Sequence, residues 1–321
     1  MKVIEHIDKA TNPLFSFEIV PPPRGSSIQD IVDVVDMLAP YNPPWIDVTS
    51  HPSGAFYNEQ EDGSVTRRIY KKRPGTIGIC GVIQNRFKID TVTHLLCSGF
   101  SKEETEDALI ELNFLGIHNV FALKGDGPNY NKKISAGRTT NQYASDLVSQ
   151  IEDLKQGRFL DNINACSPLD FSVGVAGYPE KHFEAPNLNN DIVHLKNKIK
   201  AGADYITTQM FYENQHFFNF VEKCRAVDIT VPIIPGLKII RTVKQLQSVP
   251  RHFYVNFPDD FVNEVLENPE HVVELGIAHA VKQTQELLDA GLPGVHFYVM
   301  NDAKSVAKVI EKVGWGRVGA F

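Results

Sequence analysis

The sequence predicts an α/β chain folded as a single-domain (β/α)8 TIM barrel, with residues 1–321 forming one catalytic unit. Three observations carry this expectation. Eight short β-rich runs alternate with longer segments of helical period, the pattern of βαβ units around a parallel sheet. The 321 residues accommodate eight such pairs, since a barrel of this kind takes about 250 residues plus insertions. A doubly wound open sheet is the competitor, but one holding a dinucleotide would carry Gly-x-Gly-x-x-Gly after an early strand, and no such match occurs. No fixed-period repeat, low-complexity tract or Pro/Gly/Ser-rich linker divides the chain.

In chain order, the first β run is Phe15 to Val20, stopped by three prolines that cannot donate ladder hydrogen bonds. The second is Trp45 to Thr49. "GTIGICGVI" has glycines and β-branched residues that suit a strand, but a helix there preserves the alternation, so a helix is expected. The third run, Thr91 to Cys97, precedes a helix opened by a Ser101–Glu104 capping box and closed by Gly116, with Ala108, Leu112 and Leu115 as its inner face. The fourth and fifth runs are Val120 to Lys124 and Phe171 to Ala176. Ile192, Leu195 and Ile199 form an apolar stripe ended by Gly202; Phe217, Val221 and Cys224 form another after the sixth run, Tyr205 to Met210. The seventh run is Val231 to Leu237. The long connection Ser248 to Glu270 contains "FPDDFVNEVLENPE", which reads as a short extra helix. The eighth run, Val295 to Met300, leads to a last helix with Val306, Val309, Ile310 and Val313 on one face.

Composition excludes several classes. At 42% hydrophobic content the chain buries a large core, and a net charge of −7 without a long basic tract lacks the footprint of a nucleic-acid binder. No apolar run reaches the roughly 18 to 20 residues that cross a bilayer, and the N-terminus lacks a signal-peptide core, so no membrane partner and a cytoplasmic location are expected. Cys80, Cys97, Cys166 and Cys224 lie far apart, without Cys-x-x-Cys, and read as reduced, mostly buried residues rather than disulfides or a metal site. His94 and Cys97 would project from opposite faces of a strand, which argues against a shared metal. Gly-x-Ser-x-Gly, His-Glu-x-x-His and Walker A sequences are absent, and Lys124 and Lys238 at strand ends leave only a remote Schiff-base reading.

In a barrel the working groups project from the C-terminal ends of the strands. Polar residues gather there: Glu18, Thr49, His94, "LKGDGPN", "AGYPE", Gln209, "PGLK" and Asn301. Glu18, flanked by Phe15, Phe17 and Ile19, would have its pKa raised by desolvation, as a general acid requires; a buried ion pair with Arg24 or a lysine is the alternative. Asp126, between Gly125 and Gly127, either converges with Glu18 or simply makes a turn, and the glycines would let the backbone approach a flat ligand.

"FSFEIVPPPR", "DVTS", "HLLC", "ALKGD", "YASDLV", "AGYPEKH", "AGADYITTQMFY", "IIPGL" and "HFYVMN" follow one another in an order that resembles the methylenetetrahydrofolate reductase family, from Phe15 to the last helix. The resemblance implies a barrel with non-covalent FAD that reduces 5,10-methylenetetrahydrofolate to 5-methyltetrahydrofolate with NADH or NADPH, by a ping-pong route, in one-carbon metabolism and methionine supply. It implies that Glu18 protonates folate N10 and that Asp126 contacts the pterin and tunes the flavin. Gln209 and Gln245 would bind folate. FAD contacts would come from Thr49, His94, Leu123, Lys124, Gly125, Asp126, Ala176, Tyr178, His182, Asp191 and Lys198. His194 and Asn197 depart from the asparagine and arginine common on the flavin-contacting helix. Asp302 stands where a folate-binding arginine is common, with Lys304 as a substitute. With the chain ending at Phe321, no S-adenosylmethionine-binding regulatory domain is expected, and a homo-oligomer is. Competing readings are a flavin-free pterin-dependent methyltransferase barrel and a catalytically silent flavin- or folate-binding barrel.

Overall fold

The computed structural model describes residues 1–125, 134, 136–163 and 166–315. After α1 (Val3–Lys9), strand β1 (Leu14–Ile19) and helix α2 (Gln29–Leu38) begin the alternation, followed by β2 (Trp45–Val48). A two-stranded antiparallel hairpin, β3 (Gly54–Glu59) and β4 (Val65–Tyr70), interrupts it. The alternation resumes with α3 (Thr76–Phe87), β5 (Asp90–Leu96), α4 (Lys102–Phe114), β6 (Asn119–Leu123), α5 (Ala144–Lys155), β7 (Ser172–Gly177), α6 (Leu188–Lys200), β8 (Tyr205–Thr208) and α7 (Asn214–Arg225). The last quarter holds β9 (Ile233–Ile234), β10 (Gly236–Leu237), α8 (Gln245–Phe253), α9 (Asp259–Glu267), α10 (Val272–Asp289), β11 (Gly294–Met300) and α11 (Ala303–Lys312).

Nine strands form one parallel sheet in the order β10-β11-β1-β2-β5-β6-β7-β8-β9. β9 and β10 are the two halves of the expected seventh run, separated by Pro235, which has no N–H to give. β9 pairs with β8 and β10 with β11, so this divided strand closes the ring. Gly236 permits the closure: a Cβ there would lie 2.2 Å from the Thr208 carbonyl oxygen and 2.7 Å from the Tyr298 ring.

Period-two alternation divides the strand residues between two cores. Phe15, Phe17, Ile19, Ile46, Val48, Val120, Val173, Ile206, Val295 and Phe297 join the outer core under the helices. Trp45, Val92, Phe121, Tyr205 and Ile234 fill the barrel interior, and Val3 of α1 packs into the same cluster. The Val3 N–H donates to Asn119 Oδ1 at 2.8 Å, which ties α1 to the start of β6. The expected helix over "GTIGICGVI" is α3, and the extra helix is α9. The Ser101–Glu104 box caps α4 in both directions, at 3.2 and 2.9 Å, but Leu115 is 41% exposed and leaves the inner face to Leu109 and Leu112. Cys80, Cys97 and Cys224 are buried, Cys166 is half-buried, and all four are free thiols. Among the described residues no helix is long and apolar enough to cross a membrane.

Candidate active site at the C-terminal end of the barrel

Strand register assembles a buried polar group. Glu18 pairs with Asp47 on one side and with Tyr298 on the other, and Ser16 pairs with His296 two residues earlier. A register shift follows immediately after Glu18, where Ile19 pairs with Met300, and such irregularities re-aim side chains at barrel rims. His94 Nε2 lies 3.6 Å from Glu18 Oε2 and 3.4 Å from Asp47 Oδ1. His296 Nδ1 is 4.0 Å from Asp47 Oδ2 and 2.9 Å from Ser16 Oγ. Phe121 stacks on the His94 ring at 5.0 Å, fixing its plane, and the Tyr298 hydroxyl donates to the Thr208 carbonyl at 2.6 Å.

The Glu18 side chain is 13% exposed: reachable from the mouth, yet largely dehydrated. Burial raises its pKa to about 7; His94 and Lys238 oppose the rise and Asp47 adds to it. The direction matches the sequence reading, but the cause differs. Phe15, Phe17 and Ile19 point into the outer core, so the barrel interior dehydrates Glu18, not its sequence neighbours. Burial alone would lower the His94 pKa; the hydrogen bond to Asp47 and the charges of Glu18 and Asp47 outweigh it and raise it. Arg24 is engaged elsewhere, donating to the Lys71 carbonyl at 3.4 Å.

Beside this group lies a cavity of about 420 Å³ at the ends of β6 and β7, bounded by α6. Leu123, Lys124, Ala176, Tyr178, His182, Asp191 and Lys198 all line it, together with His194 and Asn197. Lys198 Nζ donates to the Ala176 carbonyl at 2.6 Å, and burial brings its pKa down to about 8 against the pull of Asp191. Lys124 pairs with Glu184 at 2.6 Å, and Asp191 accepts from the His182 backbone N–H at 2.8 Å. Thr49 stands apart at the end of β2, with a buried Oγ1 that has no hydrogen-bond partner. Among the described residues no three His, Cys, Asp or Glu side chains gather as a metal site.

The methylenetetrahydrofolate reductase family model matches residues 2–314. The chain belongs to the methylenetetrahydrofolate reductase family. Methylenetetrahydrofolate reductase 1 of Schizosaccharomyces pombe is 32% identical over 313 residues, covering 96% of this chain and 47% of the yeast protein. The 5,10-methylenetetrahydrofolate reductase of Pectobacterium carotovorum is 28% identical over 302 residues, covering 93% of this chain and 89% of the relative. The chain thus spans about half the length of the eukaryotic relatives it matches, of which the rice protein is named for NADH and the Caenorhabditis elegans protein for NADPH. A Clostridium thermocellum protein described as binding two copies of 5-methyl-5,6,7,8-tetrahydrofolic acid shares the fold, with a TM-score of 0.59 at 13% identity over 97% of this chain and 99% of that one.

Of the residues expected to contact FAD, seven line one cavity, whereas His94 belongs to the acid group and Thr49 to the β2 end. Gly125 has a φ of +87°, and a Cβ there would press on Ser98 at 3.1 Å. Asp126 lies outside the described residues. Gln209 is half-buried at the end of β8, its Oε1 accepting from the Met210 N–H at 3.0 Å. Gln245 Oε1 accepts from the Arg241 and Thr242 N–H groups at 2.7 and 3.1 Å, organising the turn into α8. Asp302 caps α11 and pairs with Arg241 at 3.3 Å, which brings a guanidinium to the position where the family departure was noted; Lys304 is exposed. Sequence reading missed Ser16, Asp47, His296 and Tyr298 as members of the acid group. It also missed Tyr143, Ala144, Ser145 and Glu184 as cavity walls. Counting inward positions from Glu18 by twos reaches only Ser16, the other three being brought in by register from β2 and β11; "YASDLV" contains three of the second.

Proposed function

We infer that this chain reduces 5,10-methylenetetrahydrofolate to 5-methyltetrahydrofolate with NAD(P)H on a non-covalently bound FAD. The observation that carries the reading is Glu18: a dehydrated carboxyl with a pKa near 7, turned into the barrel mouth and contacted by His94. The residues present fit a flavin dinucleotide. Lys124 and Lys198 supply positive charge for a diphosphate, His182, whose pKa burial lowers, supplies a neutral ring donor, Tyr143 and Tyr178 supply flat walls, and the orphaned Thr49 Oγ1 has a hydrogen bond to offer. Bound FAD supplies the hydride chemistry, taking hydride from the nicotinamide and delivering it to the folate.

Every other step falls to side chains of the chain. Protonated Glu18 gives its proton to folate N10, opening the five-membered ring to a cation at N5. A carboxyl with a pKa near 7 still holds that proton at neutral pH and releases it readily, as a general acid must. His94, 3.6 Å away and hydrogen-bonded to Asp47, carries the positive charge that stabilises Glu18 once ionised. Tyr298, whose pKa burial pushes well above the ordinary tyrosine value, stays a neutral donor beside it. In this reading Asp126 would contact the pterin, and Gln209, half-buried at the end of β8, and Arg241, paired with Asp302, would offer polar groups to the folate.

Anaerobic mixing tests the reading. The purified protein carries oxidised-flavin absorbance that NADH or NADPH bleaches and that methylenetetrahydrofolate restores. A colourless protein, or a flavin that bleaches and does not recover with the folate, refutes it.

A further inference from the structure

The loop after β7 has two faces. Tyr178 and His182 line the 420 Å³ cavity, whereas Glu180 and Lys181 between them reach the other way, to the segment that follows α8. Glu180 accepts the Asn256 backbone N–H at 3.0 Å on Oε2 and 3.2 Å on Oε1, and the Asn256 side-chain amide donates to the same Oε2. Desolvation raises the Glu180 pKa, and the charge of His216 and the two Asn256 donors act against the rise. Beside it, Lys181 Nζ donates to the Ala185 carbonyl at 3.0 Å, which holds the ammonium 4.2 Å from the centre of the Tyr254 ring. A cleft of about 400 Å³ lies at this junction, lined by Glu180, Lys181, Pro250, Tyr254, Val255 and Asn256. Around the cleft the two segments meet through one carboxylate and one ammonium.

The second segment begins at the residues assigned above to the folate. Gln245, at the start of α8, holds the Arg241 and Thr242 N–H groups, and Arg241 pairs with Asp302. Val249 of α8 and Val255 beyond it are buried with Met210 and Ile240 in a satellite core, and Tyr298 of the acid group packs against that core. Two features weaken the segment between these anchors. Pro250 lies inside α8 and has no N–H to give to the turn before it. Tyr254 ends the helix at a φ of +58°, a conformation that a bulky side chain keeps only where its surroundings hold it there. Those surroundings are Lys181 on the Tyr254 ring and, two residues further on, the bonds from Asn256 to Glu180.

We propose that Glu180 is a positioning residue: through Asn256 it latches the α8 segment, with Gln245 and Arg241, to the loop that carries Tyr178 and His182, an assignment that rests on the folate-reductase reading above. The latch ties the side of the mouth assigned to the cofactor to the side assigned to the folate. In that reading the nicotinamide and the folate use one site in turn, so the segment over it has to release and reclose in every turnover. A contact at the rim of a cleft can break without disturbing the core beneath. A carboxylate that takes several N–H bonds suits the task, because hydrogen bonds to an ionised acceptor are both strong and directional.

The test breaks the latch and restores it. Asn256→Asp sets a second carboxylate against Glu180, and Glu180→Gln/Asn256→Asp exchanges acid and amide across the same contact. Hydrogen exchange over residues 246–257 of the flavin-loaded protein is followed by mass spectrometry, together with the KM for methylenetetrahydrofolate and the limiting rate of flavin reduction by NADH. Asn256→Asp is expected to speed exchange in this segment about 10-fold while leaving α4 unchanged. It is expected to raise the folate KM about 3- to 30-fold, with flavin reduction within about twofold of the wild type. The double variant returns exchange and KM to within about threefold of the wild type. Unchanged exchange in Asn256→Asp overturns the latch, as does a defect that the double variant leaves in place. Faster exchange with an unmoved folate KM overturns it too, since the contact would then serve the fold alone. A wild type that never reduces methylenetetrahydrofolate refutes the reductase reading, and the role of Glu180 toward the folate falls with it. A wild type that turns over the folate beside an Asn256→Asp variant of equal KM refutes the latch alone.

Discussion

Replacing Glu18 by Gln removes an ionisation that the barrel interior opposes. Burial, opposed by His94 and Lys238 and reinforced by Asp47, raises this carboxyl from 4.5 to about 7. At 1.36 kcal/mol per factor of ten, that displacement corresponds to about 3 kcal/mol. The sign follows from proton counting: between these two values the folded chain holds a proton that the unfolded chain has released. The contribution to stability is therefore complete below pH 4.5 and is lost as the pH rises through about 7. Glutamine mimics the protonated acid and loses nothing over that interval. Glu18→Gln is accordingly expected to gain about 3 kcal/mol on the wild type between pH 4.5 and pH 8.5, read as the change in their stability difference by urea denaturation at the two pH values. A stability difference that is the same at both, or that shifts toward the wild type as the pH rises, refutes the dehydrated-acid account. The same variant is expected to slow folate reduction about 10²- to 10⁴-fold while the NADH-dependent bleaching of flavin persists. Equal loss in both half-reactions would mark Glu18 as structural.

Lys198→Met removes the buried ammonium of the 420 Å³ cavity and is expected to weaken FAD retention about 10-fold or more, measured by flavin release on dilution. Asp126→Asn is expected to perturb both half-reactions, and unchanged flavin reduction in stopped flow would argue against its assignment. Gly236→Ala drives a Cβ against the Thr208 carbonyl at 2.2 Å and is expected to cost about 1 to 3 kcal/mol in denaturant titration; a neutral result would mean that the ring seam yields freely.

The eight barrel strands were legible because each is a short β-rich run bounded by breakers, and a parallel sheet buried on both faces leaves that signature wherever it occurs. The divided seventh strand was not, since Pro235 inside an apolar run looks like punctuation until a neighbour is found for each half. The hairpin over Gly54–Tyr70 was also missed. β4 is exposed throughout and no residue of β3 is more than half-buried, so no buried run announces them. Helix α8 hides for a related reason, with Pro250 inside it. In the site, Glu18 was legible as a charge inside an apolar strand, while Asp47 and His296 each read as one more polar residue beside aromatic ones. What joins them is register across β11, β1 and β2, which no local window contains.

That register has a consequence for how the protein is made. β1 pairs with β11, Phe15 with Val295 and Glu18 with Tyr298, so the first strand waits for almost the whole chain to be synthesised before it gains its second neighbour. Until then one edge of β1 stands open to water, and its glutamate behaves like any other on a nascent polypeptide. The raised pKa of Glu18 is thus a property of ring closure, acquired when the last strand docks, and its titration would report completion of the barrel during refolding.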